Sequence, residues 1–230
     1  MKVFAMLHGQ TDLDAEGRIQ GKSDLPLNEA GVKQVHEAAK NLLSKGIDMM
    51  MSSPQKRAME TAEIVAGYLE IEASKIVKGM RLFERDFGDY EGKLLTDIDV
   101  FALNCWESNA RIPNGETIRE AATRVINFMN NMVRVFKGKT LLLVVSGNVL
   151  KVLHWYFNGL PESGKEHDIE ASNCIVYEFD VDKILPEMCN FQAIADKAES
   201  DKDDGKGSRV LTQQEIDDLI SEIDRTSVAL

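Results

Sequence analysis

Cysteine and long apolar runs are scarce in this sequence. The three cysteines, Cys105, Cys174 and Cys189, form no CxxC spacing, so neither a disulfide framework nor a zinc site is indicated. The longest strongly apolar run, Leu141 to Val145, is far shorter than the roughly 20 residues that span a bilayer. The N-terminus turns polar too early for a signal peptide. These absences predict a cytoplasmic protein without membrane contact or a bound metal.

Positive charge is also in short supply. The chain has 27 Lys and Arg against 38 Asp and Glu, a net charge of -11, and its basic residues form no cluster. A nucleic-acid-binding surface is therefore not expected. Apolar residues are plentiful, at 43% of 230 residues, and only 5 prolines interrupt them. This composition excludes wholesale disorder and predicts a sizeable folded core.

Apolar periodicity predicts alternating strands and helices over most of the chain. Predicted strands cover Lys2 to Leu7, Asp48 to Ser52, a segment near Lys75 to Lys78, Thr140 to Ser146 and Cys174 to Asp180. A helix capped by Asn28 lies between the first and second strands. A helix started by Ser53 and Pro54 follows the second strand. This order predicts a three-layer α/β/α domain with a mostly parallel sheet. The helices predicted within 93–136 are assigned to a small lobe beside the site.

The composition changes towards the C-terminus. We expect an α/β domain over 1–190, a flexible acidic linker over 191–209 and an amphipathic helix over 210–230. In that helix a capping box begins at Thr212, and Ile216, Leu219 and Ile223 lie on one apolar stripe. Such a helix needs a surface to cover. It is expected to dock on its own domain, on a second copy in a homodimer, or on a protein partner through Leu211 to Ile223.

The predicted topology also locates a candidate site. Loops that follow parallel strands meet at the carboxyl edge of the sheet, where ligands bind. His8 follows the first strand, Arg57 lies in the first turn after the second, and Glu84 lies in an irregular segment that can fold over both. A histidine beside an arginine at a helix N-terminus suits an anion, and the carboxyl group suits a general acid. The same residues are also compatible with a structural role.

Several sequence blocks carry a closer resemblance. LHGQT, GRIQGKSDLPLNEAG, SSPQKRAMETAEI, LFERDFGDYEG, PNGETIREAATRV and TLLLVVSGNVLKVL occur in this order between Met1 and Asp180. Together they resemble the phosphoglycerate-mutase-like branch of the histidine phosphatase superfamily. The resemblance implies transfer of a phosphoryl group from a small phosphomonoester to a histidine, followed by hydrolysis, without a cofactor. The chain also lacks the long insertion of cofactor-dependent phosphoglycerate mutases, and so resembles the compact phosphatases.

The resemblance assigns roles to individual residues. It implies that His8 is the nucleophile, that Arg57 binds phosphate and that Glu84 donates the proton. It also places a further set of residues in the substrate pocket, namely Gly9, Gln10, Thr11, Gln20, Gly21, Ser146 and Gly147.

The departures from the family pattern bear on activity. Leu7 stands where the family has a phosphate-clamping arginine, and Asp14 stands where it usually has asparagine. The second histidine of the family, expected after Ser146, is missing. Each lost donor to a developing oxyanion costs about 10²- to 10³-fold in rate. Two hypotheses follow: a phosphatase of strongly reduced activity, or a non-catalytic relative that acts as a regulatory or protein-interaction module.

The C-terminal segment RVLTQQEIDDLISEI carries a second, shorter resemblance. It is similar to the docking peptide of flagellar motor switch proteins, which binds chemotaxis regulators in that family. A tail helix that packs on this chain or on a second copy is the alternative interpretation.

Overall fold

The computed structural model describes residues 1–106, 108–160, 169 and 171–181. Within this part the strands are β1 (Lys2–Leu7), β2 (Met49–Ser52), β3 (Val77–Lys78), β4 (Thr140–Val145) and β5 (Val176–Asp180). They form a sheet in the order β3-β2-β4-β1-β5. All neighbouring strands are parallel except β5, which runs antiparallel to β1. The predicted α/β fold with a mostly parallel sheet is confirmed.

The described α-helices are α1 (Asp12–Ala15), α2 (Glu29–Lys40), α3 (Lys56–Tyr68), α4 (Val100–Asn104), α5 (Ile118–Val135) and α6 (Gly147–Asn158). Of these, α2 and α3 cover one face of the sheet, and α5 and α6 cover the other. As predicted, the Asn28 side chain caps α2, by accepting a hydrogen bond from the amide of Gly31. Thr117 and Glu120 form a capping box at the start of α5.

The alternation of side chains along the strands explains the three layers. In β1, Val3, Ala5 and Leu7 pack in one apolar cluster with residues of α5 and α6. Phe4 and Met6 point to the other face and pack with residues of α2 and α3. Because successive strand residues face opposite sides, β1, β2, β4 and β5 each contribute to both clusters. The carboxyl ends of β1, β2 and β4 are left free to carry the site.

The prediction of a separate helical lobe over 93–136 is wrong for the second half of this range. Helix α5 belongs to the main core, where Ala122, Val125 and Met129 pack with the sheet. The smaller separate cluster instead contains Ile19, Phe87, Leu103 and Ile112. The sequence shows that α5 has an apolar face, but not which surface that face covers.

Three further expectations have different outcomes. Helix α3 has Gln55 rather than Ser53 as its N-cap residue, and no side chain caps it. In the described part of the chain, no helix is both long enough and apolar enough to cross a membrane. The predicted linker over 191–209 and the helix over 210–230 lie outside the described residues.

Candidate active site

Three strand ends bring the central residues of the predicted site together. His8 follows β1, Arg57 lies in the first turn of α3 after β2, and Ser146 follows β4. Arg57 donates from Nε to Nε2 of His8 over 3.1 Å and from a terminal nitrogen to Oγ of Ser146 over 3.4 Å. All three side chains are buried. The expectation that these loops meet at one edge of the sheet therefore holds for these residues.

The hydrogen bonds of His8 fix its tautomer. Nδ1 lies 2.8 Å from the carbonyl oxygen of Gly9, which can only accept, so Nδ1 carries the proton. Arg57 Nε can only donate, so Nε2 carries the lone pair. Burial, together with the charge of Arg57, lowers the pKa of His8 from 6.5 to about 4. At neutral pH the ring is therefore uncharged, with its lone pair on Nε2.

Gly9 allows the end of β1 to pack closely against α2. A Cβ atom at this position would lie 2.7 Å from the carbonyl oxygen of Gly31 and 2.8 Å from Cγ2 of Val35. The Gly9 amide also donates to Oγ1 of Thr61 over 3.0 Å. The backbone that holds the His8 ring is therefore fixed from both α2 and α3.

Arg57 is held by a loop that follows the predicted pocket residue Gln20. Its terminal nitrogens donate to the carbonyl oxygens of Ser23 at 2.7 Å and Gly21 at 3.0 Å. That loop is in turn organised by Glu91, whose carboxylate accepts hydrogen bonds from the amides of Gly21, Lys22 and Ser23. Burial lowers the pKa of Arg57, but nearby carboxylates oppose this shift. The hydrogen bonds of the terminal nitrogens orient the guanidinium so that its Nε–H group points to His8.

Glu84 lies close to this pair in a water-poor position. Its side chain is 4% exposed, and its carboxylate accepts hydrogen bonds from the amides of Arg85 at 2.6 Å and Asn148 at 3.1 Å. Burial raises the pKa of Glu84, although these amides partly offset the effect. Gln55 connects Glu84 with the loop of Gly21 to Ser23 that holds Arg57. It accepts a hydrogen bond from the Glu84 amide and donates one to the carbonyl oxygen of Gly21. The pKa raised by burial suits this carboxyl group to proton donation.

The remaining predicted pocket residues fall into two groups. Thr11 connects with Gln20, whose Nε2 donates to Oγ1 of Thr11 over 3.1 Å. Gln10 instead bonds to α2 and its N-cap, through Gln34 and Asn28, rather than to His8 or Arg57. The structure gives Gln10 an anchoring contact, and it does not bring the Gln10 side chain into the His8 network.

The departures from the family pattern have clear structural counterparts. Leu7 is 4% exposed and packs in the apolar cluster beneath α5 and α6. Gly147 is the first residue of α6, and among the described residues a Cβ atom there would meet only Oε2 of Glu84, at 3.8 Å. Within the described part of the chain, there is therefore room for a side chain at this position beside Glu84.

Sequence reasoning missed several residues that build this site. Gln55 binds the Glu84 amide, and Glu91 binds the loop that holds Arg57. Asn173 donates to the carbonyl oxygen of His8 over 3.1 Å. Gln55 and Glu91 lie inside sequence blocks that carry the family resemblance, which is the signal that could have found them. Asn173 lies just before β5, far from His8 in the sequence, and no local pattern marks it.

Comparisons of the sequence with known proteins find related chains. The sequence profile described as the histidine phosphatase superfamily (branch 1) matches residues 3–191. An uncharacterized phosphatase, PhoE of Bacillus subtilis, is 33% identical over 151 residues, which cover 66% of this chain and 74% of the relative. A probable phosphoglycerate mutase, GpmB of Proteus mirabilis, is 30% identical over 187 residues, which cover 78% of this chain and 85% of the relative.

Solved structures show the same fold. YhfR of Bacillus stearothermophilus has a TM-score of 0.68 at 29% identity, covering 80% of this chain and 92% of that one. A mycobacterial glucosyl-3-phosphoglycerate phosphatase, solved with VO3, has a TM-score of 0.67 at 23% identity, covering 77% and 91%. The second similarity concerns the fold alone.

Proposed function

Because the chain belongs to branch 1 of the histidine phosphatase superfamily, we propose that it slowly hydrolyses small phosphomonoesters through a phosphorylated His8. The observation that carries the proposal is the fixed tautomer of His8. Its Nε2 lone pair faces the Arg57 guanidinium, and its Nδ1 proton is held by the carbonyl oxygen of Gly9. The lone pair accepts from Arg57 in this structure, and it becomes free to attack phosphorus when a phosphate oxygen replaces Nε2 as the acceptor of that hydrogen bond.

The proposed reaction has two steps. In the first, His8 Nε2 forms a bond to phosphorus while the bond from phosphorus to the ester oxygen breaks, and protonated Glu84 gives its proton to the leaving oxygen. In the second, Glu84 accepts a proton from water, the water oxygen bonds to phosphorus, and the electron pair of the N–P bond returns to Nε2. No cofactor is required by either step.

Two features support a low rate. Leu7 supplies no guanidinium beside Arg57, and Gly147 supplies no imidazole beside Glu84. The loss of one preorganised donor costs about 10²- to 10³-fold, and losses of groups that act together do not simply add. We therefore expect turnover to be on the order of 10⁴-fold below that of a family member with both groups.

The test is phosphate release by the full chain beside two histidine variants. p-Nitrophenyl phosphate and 3-phosphoglycerate are suitable substrates, because the relatives are named as a phosphatase and a probable phosphoglycerate mutase. His8→Ala should abolish release, whereas His36→Ala, at an exposed histidine, should leave it unchanged. Equal rates in the original chain and in His8→Ala would overturn the proposal.

A second function is favoured by the same missing groups together with the tail sequence. A site without the second cation or the second histidine suits a protein that binds a ligand and does not hydrolyse it. The segment from Leu211 to Ile223, with its capping box and apolar stripe, would then contact a protein partner. Its resemblance to the motor switch docking peptide makes a chemotaxis regulator the partner to test first.

This second function requires its own binding experiment. In the full chain, Ile216→Lys would place a charge in the middle of the apolar stripe, while Asp217→Lys changes charge on its polar side. Calorimetric titration with a chemotaxis response regulator should show binding that Ile216→Lys abolishes and Asp217→Lys weakens far less. Absence of binding by the original chain would rule out this partner.

A further inference from the structure

Asp14 lies near the Nδ1 atom of His8. Its Oδ2 atom is 3.9 Å from Nδ1, whereas Arg57 contacts Nε2. A phosphate group would react at Nε2, which is the other ring nitrogen. The negative charge that departs from the family pattern is therefore placed beside the nitrogen that does not attack.

The Asp14 carboxylate is held firmly in this place. Oδ2 accepts hydrogen bonds from the Thr11 amide at 2.8 Å and the Thr11 hydroxyl at 3.0 Å, and Asn173 Nδ2 lies 3.4 Å away. Asp14 and Thr11 also form the capping box of α1. A carboxylate that already accepts these bonds has little freedom to turn toward incoming phosphate.

Attack by Nε2 changes the charge of the ring. The Nδ1 proton stays on the ring, so the phosphorylated imidazole carries a positive charge that reaches Nδ1. A carboxylate close to Nδ1 stabilises such a cation, as the aspartate does beside the histidine of serine proteases. The same charge raises the pKa of His8 against the larger lowering by burial and Arg57.

We infer that Asp14 is a positioning residue whose carboxylate stabilises the cationic His8 ring formed during phosphoryl transfer. The inference rests on the proposed function. It predicts the opposite effect from a carboxylate that repels the incoming phosphate, because removing a repulsive charge would speed the reaction. Removing Asp14 should instead slow it.

The experiment measures formation of phosphorylated His8 from p-nitrophenyl phosphate by rapid quench. Asp14→Asn should slow this step about tenfold, the effect of one pKa unit, without changing KM. Asp14→Glu should retain most of the rate, since it keeps the charge. Asp12→Asn is the matched control, because Asp12 is exposed on the same helix and takes no part in the network. An unchanged or faster rate in Asp14→Asn would overturn the inference.

A titration separates this inference from the proposed function. The imidazole nitrogen shifts of His8 report its protonation without any substrate. Asp14→Asn should lower the pH at which His8 begins to protonate, and Asp12→Asn should not. If no chain forms phosphorylated His8 but the titration moves as expected, the proposed function fails and the electrostatic role of Asp14 stands. If the titration is unmoved, the inference fails, whatever the rates.

Discussion

Arg57 donates a hydrogen bond to Nε2, the ring nitrogen of His8 that carries the lone pair, over 3.1 Å. Burial is the larger reason that the pKa of His8 is low, and the charge of Arg57 lowers it further, since a second positive charge beside the guanidinium would be unfavourable. The contact also places the strongest nearby cation where a phosphate oxygen would be stabilised. Burial and this contact together keep the ring neutral, and the contact places a cation beside Nε2.

The low pKa of His8 predicts a loss of stability in acid. The folded-state pKa of about 4 lies below the ordinary value of 6.5, so the contribution to stability is present above pH 6.5 and is lost as the pH falls towards 4. Such a shift corresponds to about 3 kcal/mol. Urea unfolding at several pH values should show that His8→Asn loses less stability over this range than the original chain.

Exposed His36 provides the control for this measurement. His36→Asn removes a histidine without altering the buried pair, so it should follow the original chain across the pH range. If His8→Asn and the original chain have parallel curves, His8 is not a buried neutral group in the folded protein.

The position of Glu84 predicts a dependence on the leaving group. Glu84→Gln cannot donate a proton, so hydrolysis of an alkyl phosphate should fall about 10²- to 10⁴-fold. p-Nitrophenolate leaves readily without a proton, and its release should fall far less. Burial raises the pKa of Glu84, so Glu84 keeps its proton to a higher pH than an ordinary carboxylic acid. Hydrolysis of the alkyl phosphate should therefore also persist to a higher pH. An equal loss with both substrates would contradict the role of Glu84 as the acid.

The space at Gly147 predicts a gain of activity. A histidine here would extend from the first turn of α6 next to Glu84, since Oε2 of Glu84 is the only atom of the described residues near the new Cβ atom. Gly147→His should raise phosphate release about 10²-fold by restoring one donor to the developing oxyanion. Gly147→Ala tests whether the side chain as such has this effect. Equal rates in the two variants would show that the missing histidine does not limit turnover.

Glu91 is predicted to support the site from a distance. Its carboxylate binds the amides of the loop whose carbonyl oxygens hold Arg57. Glu91→Gln should lower the free energy of unfolding by about 3 kcal/mol and reduce turnover, since bonds to a charged acceptor are lost. Asp97→Asn changes an exposed carboxylate in the same part of the chain and should alter neither quantity. Unfolding by urea and phosphate release together check this expectation.

Local sequence patterns were sufficient for most of the fold. The apolar run of β1, the cap at Asn28 and the β-branched segment of β4 each carry their own signal, and the structure places elements there. The residues at the ends of these strands follow from the topology of a parallel sheet. That is why His8, Arg57 and Ser146 could be expected to meet.

The remaining features depend on contacts between distant parts of the chain. The apolar face of α5 indicates a helix, yet only packing shows that it covers the sheet and not a lobe. Glu91 and Gly21 meet across a long stretch of sequence, as do Asn173 and His8. The direction of the Asp14 carboxylate depends on its bonds to Thr11, which a comparison of residue types does not reveal.

The most direct test of the proposed chemistry is detection of the phosphoryl group on His8 itself. The full chain is incubated with p-nitrophenyl phosphate, quenched in alkali, where phosphohistidine survives, and digested for mass spectrometry. The account predicts an acid-labile phosphoryl group on the peptide that contains His8, absent from the His8→Ala variant. Phosphate release without this modification, or the modification at another residue, would contradict it.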